Sequence, residues 1–193
     1  MQTSSVDTAE HPDHPIIAAT RVWLEKAVIG LNLCPFAKAV YIKQQIRYVL
    51  STAGEVDVLV TELESELLAL QAADPAKIDT TLIIVPDALS DFFDYNDFLT
   101  VADNLLEELG LDGEIQIASF HPQYQFAGTT ADDIENYTNR SPYPILHLLR
   151  ETSIDRAVGA FPEAEMIFEK NMETLRKLGH DGWQKLDLMP KPN

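Results

Sequence analysis

The chain has 193 residues, enough for one ordinary domain with a full core, and its 46% hydrophobic and 23% charged residues are those of a globular protein. Its 31 acidic residues against 14 Lys and Arg give a formal charge of −17, which excludes nucleic acid or an anionic membrane surface as the main partner, because phosphate binding rests on Lys and Arg. A single cysteine, Cys34, excludes an internal disulfide framework.

Met1 to Pro15 is polar and acidic, without the basic start and apolar run of a signal peptide. No apolar stretch approaches the roughly 20 residues that span a bilayer. The expectation is a soluble, cytoplasmic protein: a mobile acidic tail over 1–15, one globular domain over 16–187, and a second tail over 188–193. An acidic shell can still enclose a local arginine pocket for a small anionic molecule.

Ile16 to Leu31 has Ile17, Leu24, Val28 and Leu31 at helical spacing, and Cys34-Pro35-Phe36 follows in the break. Gln45 to Ser51 sets Ile46, Tyr48 and Leu50 against Arg47 and Val49, the alternation of a strand. Thr52-Ala-Gly-Glu55 has the form of a capping box, opening a helix with Val56, Val60, Leu63, Leu67 and Leu70 on one stripe up to Asp74-Pro75. Thr80 to Val85 reads as a buried strand. Asp91 to Gly110 is a second long helix with Tyr95, Leu99, Ala102, Leu105, Leu106 and Leu109 inward, and Gly110 as its stop. After the turn at Leu111-Asp112-Gly113 comes a strand over Glu114 to Phe120. A short helix over Asp132 to Thr138, Ile145 to Arg150 read as a strand in preference to a helix starting after Pro144, and a short helix over Ser153 to Val158 complete the middle. The last helix starts at Pro162, with acidic residues early, Lys170, Arg176 and Lys177 late, and Gly179 as its stop.

Alternating strands and helices predict an α/β domain with a mainly parallel four-stranded sheet flanked by helices; a ferredoxin-like α+β sandwich is the rival. In open α/β sheets ligands bind beyond the carboxyl ends of the strands. That places His121 and Arg150 at strand ends, with the loop His121-Pro-Gln-Tyr-Gln-Phe-Ala-Gly128 able to bring Gln123, Tyr124 and Gln125 over them. His121 has the ring chemistry for general acid–base work near neutrality, or it caps a strand end by hydrogen bonding. Arg140 and Arg150 can grip a carboxylate or phosphate, or pair with nearby Glu135, Glu151 and Asp155; Arg47 is a weaker third. Tyr124, Tyr137 and Tyr143 can orient a ligand or simply pack. His147, among Ile145, Leu146, Leu148 and Leu149, reads as a core histidine or a binding residue.

Cys34 before Pro-Phe-Ala is similar to the reactive Cys-Pro of thioredoxin-fold proteins, where a helix N-terminus favours the thiolate. The segment before it is helical rather than a strand, so an inert thiol is the alternative. Cys34, His121 and His147 with an aspartate could in principle hold zinc or iron, but no two stand at a ligand spacing. His11 and His14 belong to the tail. No phosphate-binding glycine loop and no G-x-S-x-G elbow occurs, and no particular cofactor is indicated.

Five segments, Val28-Ile-Gly-Leu-Asn-Leu-Cys-Pro-Phe-Ala37, Val85-Pro-Asp-Ala-Leu-Ser-Asp-Phe-Phe-Asp-Tyr-Asn-Asp-Phe98, Ala118-Ser-Phe-His-Pro-Gln-Tyr-Gln-Phe-Ala-Gly128, Asn139-Arg-Ser-Pro-Tyr-Pro144 and His147-Leu-Leu-Arg-Glu151, are those of a known family. On them the chain resembles the bacterial domain of unknown function 1415, over nearly the whole length after the tail. That resemblance implies no activity. The residues themselves lead to three expectations: a small enzyme acting on an anionic small molecule through His121, Arg140 and Arg150; a non-catalytic ligand-binding or protein-interaction module; or a Cys-dependent redox or metal-binding protein.

Overall fold

The computed structural model describes residues 14–160 and 164–188. The chain forms a single mixed α/β domain around an open four-stranded sheet. In order the elements are α1 (Pro15–Trp23), a π-helical continuation (Leu24–Ile29), α2 (Ala37–Ile42), β1 (Ile46–Leu50), α3 (Val56–Ala72), β2 (Thr80–Ile84), α4 (Phe92–Glu108), β3 (Ile115–Phe120), a 3-10 turn (Ile134–Thr138), β4 (Ile145–Arg150), α5 (Glu151–Ala160), a 3-10 turn (Ala164–Met166) and α6 (Ile167–Gln184). Both tails expected from the sequence lie largely outside the described residues, as does the expected start of the last helix at Pro162. His14, assigned to the tail, caps α1 by accepting the Ile16 N–H at Nδ1, 3.3 Å away.

The strand order is β1-β2-β4-β3. β1 and β2 are parallel, but β4 runs antiparallel to both of its neighbours, with Ile84 and Phe120 each opposite Ile145. The sheet is therefore mixed, not mainly parallel. The reason lies in the connection: a parallel return needs a crossover as long as a helix packed on the sheet. Residues 121–144 hold only a five-residue 3-10 turn, so the chain comes back from the end where β3 finished. Helices α3 and α4 cross over from β1 to β2 and from β2 to β3, leaving a slot between β2 and β3. The apolar β4, with Ile145, Leu146 and Leu148 fully buried, fills it.

Both faces of the sheet are covered, unlike those of a ferredoxin-like sandwich. Val49, Ile83, Val85, Leu146, Leu148 and Ile115 face α3 and α4. Tyr48, Leu82, Ile84 and Ile145 face Trp23, Leu24, Ala27 and Val28 of the first helix and its π continuation. In α3 the inward stripe is Leu59, Leu63, Leu67 and Leu70, each contributing roughly 1.5–3 kcal/mol by burial; Val56, expected on that stripe, is 44% exposed. The expected capping box at Thr52–Glu55 does not form. Glu62 instead turns back from the second turn to accept from Ser51 Oγ (2.5 Å) and Thr52 Oγ1 (3.1 Å). Tyr95 of α4, fully buried, donates to the Ile145 carbonyl (2.8 Å) and accepts the Phe120 N–H (3.1 Å), fixing α4 to the end of the β3–β4 ladder. Gly110 ends its helix at φ +68 as expected, whereas Gly179, at φ 65 and ψ 174, kinks α6, which then continues. Among the described residues no helix is long and apolar enough to cross a membrane.

Candidate functional site

The loop singled out by the sequence is held by its own side chains. His121 is fully buried between the rings of Phe92 (5.4 Å) and Tyr95 (5.0 Å). Its Nδ1 accepts the Gln123 N–H (3.0 Å), so its proton sits on Nε2 and is donated to the Leu89 carbonyl (3.1 Å). Burial lowers its pKa, an effect the Leu89 carbonyl partly opposes. The ring is neutral and engaged at both nitrogens. Tyr124 packs on Phe92 and Phe126, and Gln125 donates to the Thr129 carbonyl (2.6 Å). Arg140 donates to the carbonyls of Tyr124 (3.3 Å) and Ala131 (2.6 Å) and lies 4.3 Å over the Tyr137 ring. The organiser of this loop was not evident in the sequence. Buried Asn136 accepts from Phe126 N (3.0 Å) and Thr129 Oγ1 (2.8 Å) and donates to the Thr130 carbonyl (2.7 Å).

None of the hydrogen bonds and ring contacts of His121 reaches the other expected site residues. Because β4 is antiparallel, Arg150 lies at the opposite end of the sheet, about 17 Å along the strand from the level of Phe120. There its guanidinium donates to the carbonyls of Leu70, Ala73 (2.7 Å) and Ile78 (3.4 Å), closing the C-terminal end of α3. Arg47 forms a two-pronged ion pair with Glu66 at 2.9 and 3.2 Å on the α3 side. Tyr143 packs against the first-helix cluster.

His147 of the central strand is 2.7 Å from Thr80 Oγ1, whose own proton goes to the Leu148 carbonyl (2.6 Å). The imidazole Nε2–H is therefore the donor to Thr80, and burial pushes its pKa down to about 4. Cys34 is partly buried against the same cluster. Burial pushes its thiol up, partly offset by the N–H groups of Phe36 and Ala37. Among the described residues no three His, Cys, Asp or Glu side chains are placed to hold a metal ion.

A different constellation forms where α1, α2 and β1 meet. A cavity of about 420 Å³ is lined by Ile17 and Arg21 from α1, Tyr41 and Ile42 from α2, Gln44 from the turn, and Ile46 and Tyr48 from β1. The Arg21 guanidinium stands 4.7 Å over the Tyr48 ring. Just after Arg21 the helix widens to π geometry, closed by Gly30 N–H on the Glu25 carbonyl (2.9 Å) and Leu33 N–H on that of Val28 (2.9 Å). Such segments often sit at functional sites. The wider turn carries Glu25, whose carboxylate accepts the Tyr41 hydroxyl and ties α2 across the cleft.

Two of the lining residues each hold a buried donor that has no partner among the described residues. Arg21 Nε and Tyr48 Oη are both buried and unbonded, and Tyr48 as a whole is only 5% exposed. Burial raises the Tyr48 phenol strongly, with a partial counter-effect from Arg21, and the bond to Glu25 raises that of Tyr41. Both phenols stay protonated at neutral pH. The cleft thus presents a cation and two phenol-bearing side chains together with an isoleucine from each of its three elements.

A second groove, about 470 Å³, lies beyond the carboxyl ends of β1 and β2, where the sequence led us to expect a site. It is lined by Glu55, Asp87, Asp94 and Asp97 with Val56 and Val101, so its charge is opposite to that an anion requires.

Arg21 and Tyr48 were legible only in part. Tyr48 was placed inward by strand alternation. Arg21 stands four residues after Ile17 and three before Leu24, a cation in the middle of an otherwise apolar helical stripe, and that is the signal that could have found it.

No curated protein and no solved structure gives a significant match to the chain. The family model for the protein of unknown function DUF1415 matches residues 15–185, which takes in every strand and every element of the cleft, and the chain belongs to that family.

Proposed function

We propose that the protein is a binding module for a small organic anion, held in the cleft between α1, α2 and β1. The observation that carries this reading is that Arg21 and Tyr48 line a cavity of about 420 Å³, each also holding a buried polar atom without a hydrogen-bond partner among the described residues. An unsatisfied buried donor costs about 1–3 kcal/mol, and buried polar groups are as a rule hydrogen-bonded. An anion in the cleft would face the Arg21 guanidinium, which lines it. The volume falls within the usual range for small-molecule sites, which combine apolar walls with a few convergent polar groups.

Binding rather than turnover is the reading favoured, because the polar lining is one guanidinium, an amide and two phenols that hold their protons far above neutral pH. His121 lends little support to acid–base chemistry, with both ring nitrogens engaged and Arg150 at the far end of the sheet. A thermal-shift screen of the folded protein against organic carboxylates, phosphates and sulfonates tests the proposal, since a ligand of the native state raises Tm by mass action. We expect one anion class to raise Tm in the wild type and to lose that effect in Arg21→Met and Tyr48→Phe. Shifts that persist in both variants would refute the assignment of the cleft.

A further inference from the structure

We infer that two copies of the chain pair along β1, antiparallel about a two-fold axis at Tyr48, joining their sheets edge to edge into one. The inference goes beyond the cleft reading and does not rest on it, because it concerns main-chain groups rather than the side chains that line the cleft.

β1 is an outer strand of the sheet. Two bonds fix which of its main-chain groups face β2: Thr80 N–H reaches the Gln45 carbonyl (3.4 Å), and Ser51 N–H reaches the Ile84 carbonyl (2.8 Å). Alternate residues of a parallel ladder bond to the same side. Gln45, Arg47, Val49 and Ser51 therefore bond inward, and Ile46, Tyr48 and Leu50 turn their N–H and C=O groups outward. None of these outward groups has a partner among the described residues. Edge strands are usually guarded by a lysine, a proline, a bulge or a covering segment. β1 holds neither lysine nor proline, and its register runs unbroken from Ile46 opposite Thr80 to Leu50 opposite Ile84. Its one charge, Arg47, is taken up by Glu66. The other outer strand, β3, is closed at both ends. There Ile115 N–H goes to the Leu111 carbonyl (3.0 Å), and the Ser119 carbonyl accepts from Asn139 Nδ2 (3.0 Å).

An open edge fits any extended chain, and two features single out a second copy of this one. The first is self-complementarity. Pairing about Tyr48 sets Tyr48 opposite Tyr48 and Ile46 opposite Leu50 of the other copy, so every outward donor meets an outward acceptor, as an isologous contact requires. Ile46 and Leu50 are each only partly buried in the single chain, and as a cross-strand pair they would cover one another. The second is charge. No Asp or Glu occurs between Glu25 and Glu55, in a chain with 31 of them, so two chains of −17 can approach here with least repulsion. Continued past the strand, the same register sets exposed Lys43 opposite Ala53 of the other copy. Ala53 follows Thr52, whose hydroxyl and N–H are held by the Glu62 carboxylate (3.1 and 3.3 Å). A cation of each copy thus meets a carboxylate of the other.

The experiment is analytical ultracentrifugation of the full chain over a wide concentration range in about 0.15 M salt, which screens the net charges beyond about 8 Å, with amide hydrogen exchange followed by NMR. We expect a concentration-dependent dimer. As it forms, the amides of Ile46, Tyr48 and Leu50 should become protected, whereas those of Arg47, Val49 and Ser51 are protected throughout by β2. Leu50→Pro deletes one outward N–H per copy and leaves the β1–β2 ladder whole, at a strand edge where proline is tolerated. It should raise the dissociation constant at least about tenfold. Lys43→Glu, at the end of α2 and outside the ladder, should raise it about threefold or more. Thermal melts report whether each variant is folded. A monomer at every concentration would overturn the inference, and so would a dimer that leaves the three outward amides unprotected or that persists unchanged in folded Leu50→Pro. Should the proline variant not fold, an unchanged constant in Lys43→Glu overturns it instead.

Discussion

Lowering the pH from 7.5 to 4 should cost this protein stability through one identifiable ring, His147. It sits in the central strand with Nε2–H donating to Thr80 Oγ1, and the Thr80 hydroxyl is already committed to the Leu148 carbonyl. Protonation would put a second N–H on Nδ1 inside the sheet face. The ring's pKa is accordingly pushed down from the ordinary 6.5 to about 4. The unfolded chain protonates first, so it binds more protons than the native state throughout this window, and stability must fall as pH falls. The contribution is fully present above pH 6.5, is lost progressively toward pH 4 and is constant below. At about 1.4 kcal/mol per pH unit the loss is about 3 kcal/mol by pH 4. Urea denaturation of the wild type and His147→Gln at closely spaced pH values isolates it, because the carboxylates titrate alike in both. The wild type's margin over the variant should narrow by about 3 kcal/mol across the window. A margin that stays constant from pH 7.5 to 4 would refute the assignment of a buried neutral imidazole.

Arg150→Met should remove the carbonyl cap on α3; with hydrogen bonds to charged groups worth about 1.5–3 kcal/mol, we expect a loss near 3 kcal/mol. For a chain of this size that is a fall in Tm of roughly 6–12 °C, while the affinity of the α1–α2–β1 cleft for its ligand stays unchanged. The reverse pattern, intact stability and lost affinity, would restore Arg150 as a ligand anchor. Gly30→Ala would ordinarily gain up to about 1 kcal/mol in a helix. Here a methyl group runs into the Lys26 carbonyl, so denaturant titration should instead show a loss of about 1–3 kcal/mol, as overpacking does; a gain would mean that the π turn relaxes to accept it. Cys34, with its thiol pushed up by burial, should react with a disulfide reagent at pH 7.5 at least about tenfold more slowly than free cysteine. Reaction as fast as free cysteine would revive the redox reading.

Most elements were legible because each is written locally. The leucine stripe of α3, the Asp91 cap with Oδ1 accepting from Phe93 and Asp94 N–H, and the buried run of β2 need no knowledge of distant partners. Strand direction is not local. Nothing within Ile145–Arg150 says which way it runs, and only the absence of a crossover helix over 121–144 decides it. That single fact moved Arg150 from the His121 end to the far end of the sheet, and with it went the expected pairing of histidine and arginine. The capping box failed for a related reason. Ser51 and Thr52 had a better acceptor in Glu62, one that appears only once α3 has been folded back against β1. The π turn after Trp23 was not read from the sequence, because the spacing of Leu24, Val28 and Leu31 also fits an ordinary helix.

The arginines show how an acidic chain conceals its own binding chemistry. With 31 carboxylates available, a cation on a polar surface meets an acidic neighbour, as Arg47 meets Glu66 and Arg176 meets Glu135. Arginines in the loop and at the end of β4 are taken up by main-chain carbonyls, which a sequence does not display. Arg21 escapes both fates because its helix turns it toward the apolar side, onto the Tyr48 ring, where no carbonyl or carboxylate reaches Nε. Planar, weakly hydrated and able to stack on an aromatic ring, a guanidinium tolerates such a place better than an ammonium would. In a protein of this charge, the arginine worth following is therefore the one that interrupts a hydrophobic stripe, since its neighbours on that stripe cannot neutralise it and a ligand can.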